Sequence, residues 1–210
     1  MASSFSTQIP VIVDLISRIR PASMLDIGKG FGKYAFLTHE YCGIDNTRRP
    51  DPTRTLREQS RVAIDAVECN TAYLWPHIDH LYRKVYVGRI ESLYRELLGY
   101  ELVLMCDIIE HLQKPEACDI LTHFLGLNST IIVATPKGFF QQNLYDSPEE
   151  QHVSHWTKND FLRLGYVDYQ TVGAGRIYLV SRNKLDVRGF GSGFMKRLRR
   201  IARAVVNEVI

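Results

Sequence analysis

The sequence lacks the marks of a metal finger, a disulfide scaffold or a membrane protein. Its four cysteines, at positions 42, 69, 106 and 118, form no CxxC pair, and no histidine stands at metal-finger spacing from them. That removes zinc-finger and disulfide-framework readings. Three of the four fall in or beside apolar runs, so buried thiols in a reducing compartment are expected. The longest apolar run near the start, residues 9–13, is too short for a signal-peptide core, and no stretch approaches the length of a bilayer span. A cytoplasmic location is therefore expected. Internal repeats and low-complexity tracts are also missing.

The 210 residues, 45% hydrophobic and 23% charged, suit one ordinary globular domain with a sizeable core. The net charge of +3 is unevenly placed. From Lys184 onward seven Lys and Arg face only Asp186 and Glu208, so this tail carries +5 and the body −2. A mildly acidic body argues against a nucleic-acid groove, and no nucleic-acid partner is expected. The chain divides accordingly into a domain over residues 1–183 and a basic, amphipathic tail over residues 184–210.

Ile9, Ile12, Ile16 and Ile19 recur at helical spacing, and Pro21 closes that helix. Short strand candidates follow at residues 23–27, 63–68, 84–87, 101–106 and 130–134, alternating with helical segments at 34–41, 72–80, 91–98, 115–125 and 157–164. Residues 167–172 and 176–181 read as a closing hairpin. Continuous apolar strands alternating with helices indicate a Rossmann-like, doubly wound α/β fold. The expected sheet has seven strands, is mainly parallel and ends in an antiparallel hairpin. The arginine-rich, proline-broken connection around residues 45–61 reads as an inserted surface loop or lid.

In such a sheet, ligands bind outside the carboxyl ends of the strands near the switch in strand order. There the chain places Asp26-Ile27-Gly28-Lys29-Gly30-Phe31-Gly32 after the first strand, Glu68 at the end of the second, Asp107 at the end of the fourth and Thr135-Pro136 after the fifth. Glycines let a backbone turn tightly and approach a ligand closely. A dinucleotide fingerprint would need a small residue where Lys33 stands. Asp26, two residues before the first glycine, suits a cationic ligand better than a phosphate.

These residues resemble class I S-adenosylmethionine-dependent methyltransferases, particularly a bacterial branch often found in sugar-modification gene clusters. The matching pieces are Leu25-Asp-Ile-Gly-Lys-Gly-Phe-Gly-Lys-Tyr34, Ile64-Asp-Ala-Val-Glu-Cys-Asn70, Val87-Gly-Arg-Ile90, Leu102-Val-Leu-Met-Cys-Asp-Ile-Ile-Glu-His-Leu112, Ile132-Val-Ala-Thr-Pro-Lys-Gly138 and His152-Val-Ser-His-Trp-Thr157. The resemblance implies S-adenosylmethionine as cofactor. It implies that Gly28 and Gly30 meet the methionine part, Asp26 holds its amino group directly or through water, and Glu68 takes the ribose hydroxyls. It further implies that Ile90 lines the adenine while Asp107 and Ile108 close over the sulfonium side. Lys29 and Arg89 depart from the family pattern, and arginine cannot accept a hydrogen bond from the adenine amine.

The implied activity is methyl transfer to oxygen or nitrogen of a small molecule or glycan precursor. The rival reading is a non-catalytic binding or scaffolding subunit of the same fold. A base is needed where the acceptor must lose a proton, and His111 is the first candidate, His152 the second and His155 the third. Asp107, Glu110 and His111 have a spacing similar to the metal cluster of quinone-pathway O-methyltransferases, yet they also simply begin the next helix, and no metal is expected. Phe139, Phe140, Tyr145, Trp156 and the loop near residues 48–61 can shape an acceptor pocket or pack in the core. In the tail, Phe194, Leu198, Ile201 and Val205 share a helical face. That face suits peripheral contact with anionic lipid through residues 190–210, docking on its own domain, or a homodimer contact.

Overall fold

The buried residues Ile12, Leu15 and Ile16 lie along one side of Ile9–Ile19 (α1), which has Pro10 in its first turn. The helix stops where Arg20 turns left-handed (φ 53) ahead of Pro21. In this computed structural model, residues 5–45, 47, 49–139, 150–185, 187 and 190 are described. The strands are Ser23–Ile27 (β1), Ala63–Glu68 (β2), Lys84–Val87 (β3), Leu102–Cys106 (β4), Thr130–Pro136 (β5), Tyr166–Val172 (β6) and Gly175–Ser181 (β7). They form a seven-stranded sheet in the order β3-β2-β1-β4-β5-β7-β6. All neighbours run parallel except β7, which is antiparallel to both β5 and β6. The chain reaches one edge at β3 and returns to lay β4 beside β1, so the switch in strand order falls between β1 and β4.

Side-chain alternation divides the core in two. Leu25, Ile27, Val103, Met105, Ile131 and Val133 face one layer, which includes Ile120, Leu121 and Phe124 of Lys114–Gly126 (α5). Met24, Ile64, Ala66, Leu102, Leu104 and Ile132 face the other, built on α1 and on Lys33–Thr38 (α2). On this second side the β1 and β2 positions next in register are Asp26 and Glu68.

Several connections differ from the sequence expectation. The helix expected over residues 34–41 is α2 followed by a π-helical turn, His39–Gly43. Residues 72–80 are two 3₁₀ segments, Thr71–Tyr73 and Pro76–His80, because Pro76 holds Trp75 extended (ψ 155) between them. The helix expected over residues 91–98 is the single turn Ile90–Leu93 (α4) plus a 3₁₀ turn, Tyr94–Glu96. The last helix shrinks to Lys158–Leu162 (α6 in chain order), capped as its sequence suggests by a reciprocal Thr157–Asp160 box.

The inserted connection contains a short helix, Leu56–Gln59 (α3), with its own capping box from Thr55 and Glu58. Arg57 and Arg61 line an open recess of about 260 Å³ with Val62, Ala63 and Arg83, at the amino ends of β2 and β3. This part of the insertion therefore lies at the opposite end of the strands from Gly28 and is no lid over it. Cysteine burial is also less than expected: Cys106 is buried, Cys42 and Cys118 are half-buried and Cys69 is exposed. Among the described residues no helix is long and apolar enough to cross a membrane. The amphipathic tail face, with Phe140 and Tyr145, lies outside the described residues.

Candidate functional site

Gly28 follows β1 in a left-handed conformation (φ 71), and its N–H donates to the Val67 carbonyl of β2 (2.9 Å). A Cβ there would lie 1.9 Å from Cδ1 of Ile108, just past β4, so a side chain would displace Ile108 as well as strain the left-handed backbone. At Gly30 (φ 51) a Cβ would meet nothing within 4 Å. That side of the loop is open to an approaching ligand.

Glu68 docks directly on this loop. Its Oε2 accepts the Gly30 N–H (2.9 Å) and its Oε1 the Asn70 N–H (2.9 Å), with the residue 5% exposed. Lys29, also 5% exposed, folds back to donate from Nζ to the Gly30 carbonyl (3.1 Å) and the Tyr73 carbonyl (2.9 Å). Gly30 is thus held at both its N–H and its C=O by charged side chains. Burial lowers the Lys29 pKa, against the pull of Glu68 and Asp26.

Asp26 shares the sheet face of Glu68 and accepts a 2.6 Å hydrogen bond from the Tyr82 hydroxyl. Burial pushes its pKa up to about 6, opposed by the Tyr82 hydrogen bond and then by Lys29. The unfolded carboxyl ionises near pH 4, so between about pH 4 and 6 the folded state binds the extra proton. Stability from this group is complete below the lower value and falls as pH rises through the upper one, by about 3 kcal/mol in all. Asp26→Asn is expected to flatten that slope. Urea unfolding from pH 4 to 7 checks it, and parallel pH profiles for the two proteins would contradict it.

Across the switch point, Asp107 leaves β4 left-handed (φ 55), with its N–H donating to the Ala134 carbonyl (2.8 Å). Ile108 follows, then the 3₁₀ turn Ile109–His111. This turn holds residues 153–156 by its carbonyls. Glu110 O accepts from the Val153 N–H (2.8 Å) and the Ser154 N–H (3.0 Å), and Ile109 O accepts from Ser154 Oγ (3.1 Å) and Trp156 Nε1 (3.1 Å). That clamp brings His152 against His111, with ring centroids 5.0 Å apart. Trp156 belongs to the core rather than to a pocket wall, whereas Phe139 is exposed.

His111 Nδ1 lies 3.0 Å from the Gln151 carbonyl. Its pKa is lowered by burial first and by His152 as well, so the ring is neutral at neutral pH. Glu110 is 2% exposed: Oε2 accepts from Thr135 Oγ1 (3.1 Å), while Oε1 has no hydrogen-bond partner among the described residues. Burial and then Asp107 push its carboxyl well above the usual range. One ligand atom from each of Glu110, His111 and His152 falls within 4.8 Å of the others. The group that converges therefore contains His152 where sequence spacing suggests Asp107. His155 is apart from it, with Nε2 3.3 Å from the Lys137 carbonyl.

Ile90, 5% exposed, begins α4 beside Arg89, whose guanidinium pairs with Glu91 (2.6 Å). All seven expected cofactor-site residues thus sit at the carboxyl ends of β1 to β4, and Glu68–Gly30 and Ile108–Gly28 are brought together. Tyr82 as the partner of Asp26 carries no local sequence signal. Lys29 stands out in the sequence only as a bulky residue between glycines.

No protein-family model and no curated protein matches the sequence. Solved structures match its fold. An O-methyltransferase family protein from Burkholderia thailandensis superposes with TM-score 0.54 at 12% identity, over 84% of this chain and 57% of that one. Monomeric WbdD gives TM-score 0.60 at 13% identity, over 90% and 44%. The N-terminal domain of EvdMO1 with SAH bound gives 0.57 at 12% identity, over 86% and 83%; it has also been crystallised in the presence of SAH and D-fucose. The chain spans 57% and 44% of the first two proteins and most of the EvdMO1 domain. It has the Rossmann-like fold of class I methyltransferases.

Proposed function

We propose that this chain binds S-adenosylmethionine and transfers its methyl group to oxygen or nitrogen of a small molecule or glycan precursor. The observation that carries the reading is the docking of Glu68 on Gly30 at the mouth of β1 and β2, with Asp26 on the same sheet face. The residues fit the cofactor in shape and charge. Gly30 leaves its outer side open, and a carboxylate has about four lone-pair sites, of which Glu68 uses two on backbone N–H groups. The others suit ribose hydroxyls. SAH bound to a protein of the same fold points the same way.

When bound, S-adenosylmethionine supplies a methyl carbon already activated by positive sulfur. The protein's work is alignment and exclusion of water. Asp26 would attract the methionine ammonium, Ile90 flank the adenine, and Asp107 with Ile108 cover the reacting side. The neutral imidazole of His111, or the imidazole of His152, would take the acceptor proton as the new bond forms. The sugar present with the EvdMO1 domain favours a glycan acceptor.

Calorimetric titration with S-adenosylmethionine, S-adenosylhomocysteine and NAD tests the reading. One-to-one binding of the first two without the third is expected. Failure of both adenosyl compounds to bind would remove the enzyme and leave a non-catalytic subunit of this fold.

A further inference from the structure

We propose that Arg57, Arg61 and Arg83 form a binding site for the phosphate or diphosphate group of a small soluble molecule, at the end of the sheet away from the glycine loop. They line one open recess of about 260 Å³ with Ser60, Val62 and Ala63. Ala63 opens β2 and Glu68 closes it, so the recess and the glycine loop are about 17 Å apart at the rise of a strand. The two sites are therefore separate.

The recess concentrates positive charge in a body that carries −2. Glu58, the one acidic residue in its lining, turns Oε2 to the Thr55 N–H (2.8 Å) in its own helix cap. Asp65 pairs with Arg83 (2.7 Å) from a buried position, whereas no carboxylate lies within ion-pair distance of Arg57 or Arg61 among the described residues. Like charges gathered at one recess repel each other, and an anion between them relieves that repulsion.

Two of the three guanidiniums are already fixed. Arg57 Nη1 donates to the Tyr82 carbonyl (2.8 Å), and Tyr82 is itself held, 1% exposed with its hydroxyl on Asp26 (2.6 Å). Arg83 donates from Nε (3.0 Å) and Nη2 (2.7 Å) to the two oxygens of Asp65, which also accepts the Tyr100 hydroxyl (2.8 Å). A guanidinium has five N–H donors, so both keep several for a ligand. Arg61 has no side-chain partner among the described residues and keeps all of its own. Such forks bind phosphate oxygens in pairs, and fixing them beforehand removes part of the entropy loss on association.

Size and lining decide the class of ligand. Pockets for whole drug-sized molecules begin at about 300 Å³, so this recess suits one or two phosphate groups with the rest of the molecule in solvent. Its described lining offers no aromatic ring on which a base could stack. Its concave shape favours a soluble compound over a flat lipid surface.

The test is calorimetric titration of the full chain with inorganic pyrophosphate at physiological salt. Saturable one-to-one binding with a dissociation constant below about 1 mM is expected. Arg57→Gln and Arg61→Gln should each weaken it by at least about fivefold. Arg182→Gln, past β7 and separated from β2 by β1, β4 and β5, should leave it unchanged. Arg61→Gln removes no side-chain bond, so its thermal unfolding should match the parent and its binding loss be free of folding effects. The site is overturned if the parent shows no saturable binding, or if Arg57→Gln and Arg61→Gln both bind within about twofold of it. Flotation with phosphatidylcholine vesicles containing phosphatidylglycerol checks the source of the phosphate. Equal recovery of the parent and Arg61→Gln is expected, and recovery lost in Arg61→Gln would overturn the soluble ligand in favour of a lipid headgroup. Failure of S-adenosylmethionine to bind would sink the proposed function without changing these results.

Discussion

Glu68→Ala is expected to weaken S-adenosylmethionine and S-adenosylhomocysteine binding by at least about 100-fold, which two lost charge-assisted hydrogen bonds to ribose would produce. The same change leaves the N–H groups of Gly30 and Asn70 without their acceptor. Both donors are only partly buried, so the lower part of the range of about 1–3 kcal/mol for each applies, and stability should fall by roughly 2–4 kcal/mol. Glu68→Gln keeps one acceptor oxygen and should fall between. Calorimetry measures the first effect and urea unfolding the second. If Glu68→Ala bound the nucleosides within threefold of the parent, the ribose role would be wrong even though the loop is anchored as described.

Trp156→Ala should be the most destabilising single change at the other half of the site. The side chain is fully buried, tilted against Phe161, and bonded through Nε1 to both Ile109 O and Ser154 Oγ (2.8 Å). Truncating a buried tryptophan costs about 3–5 kcal/mol. The loss also removes one of the bonds that tie the stretch carrying His152 to the turn carrying His111, leaving those made by Val153 and Ser154. Trp156→Phe keeps much of the volume and loses only the polar anchor, so about 1–2 kcal/mol is expected. Chemical denaturation distinguishes the two. A loss below 1 kcal/mol for alanine would show that the clamp does not depend on this ring.

The bounds of α1, β1, β2 and β3 could be read from the sequence because each rests on a local signal: an apolar periodicity, a Pro or Gly stop, or a short buried run. The segments after β2 and β3 could not. Their apolar residues have helical spacing, but Pro76 and the chain's early exit before Gly99 break them into short turns. The residues proposed to hold the cofactor could be named from the sequence because strand ends and glycines are local features. The long-range partners were not, since the Tyr82–Asp26 bond spans 56 positions and the approach of His152 to His111 depends on a backbone clamp. The choice of His152 over Asp107 in the Glu110–His111 cluster followed from that clamp and had no counterpart in residue spacing. Of the two readings of the insertion, surface loop or lid, Arg57 and Arg61 fit the first, for a related reason. Composition describes a loop's chemistry but not which end of the sheet it reaches.

Lys29 and Glu68 hold the two polar groups of Gly30 before any ligand arrives. The turn's freedom is therefore surrendered when the chain folds, and a nucleoside bound as proposed would meet a rigid rim instead of one it must organise. Immobilising a loop on association subtracts from affinity. Here that subtraction would already be complete, and recognition would reduce to the match between the rim's fixed charges and the ligand's own.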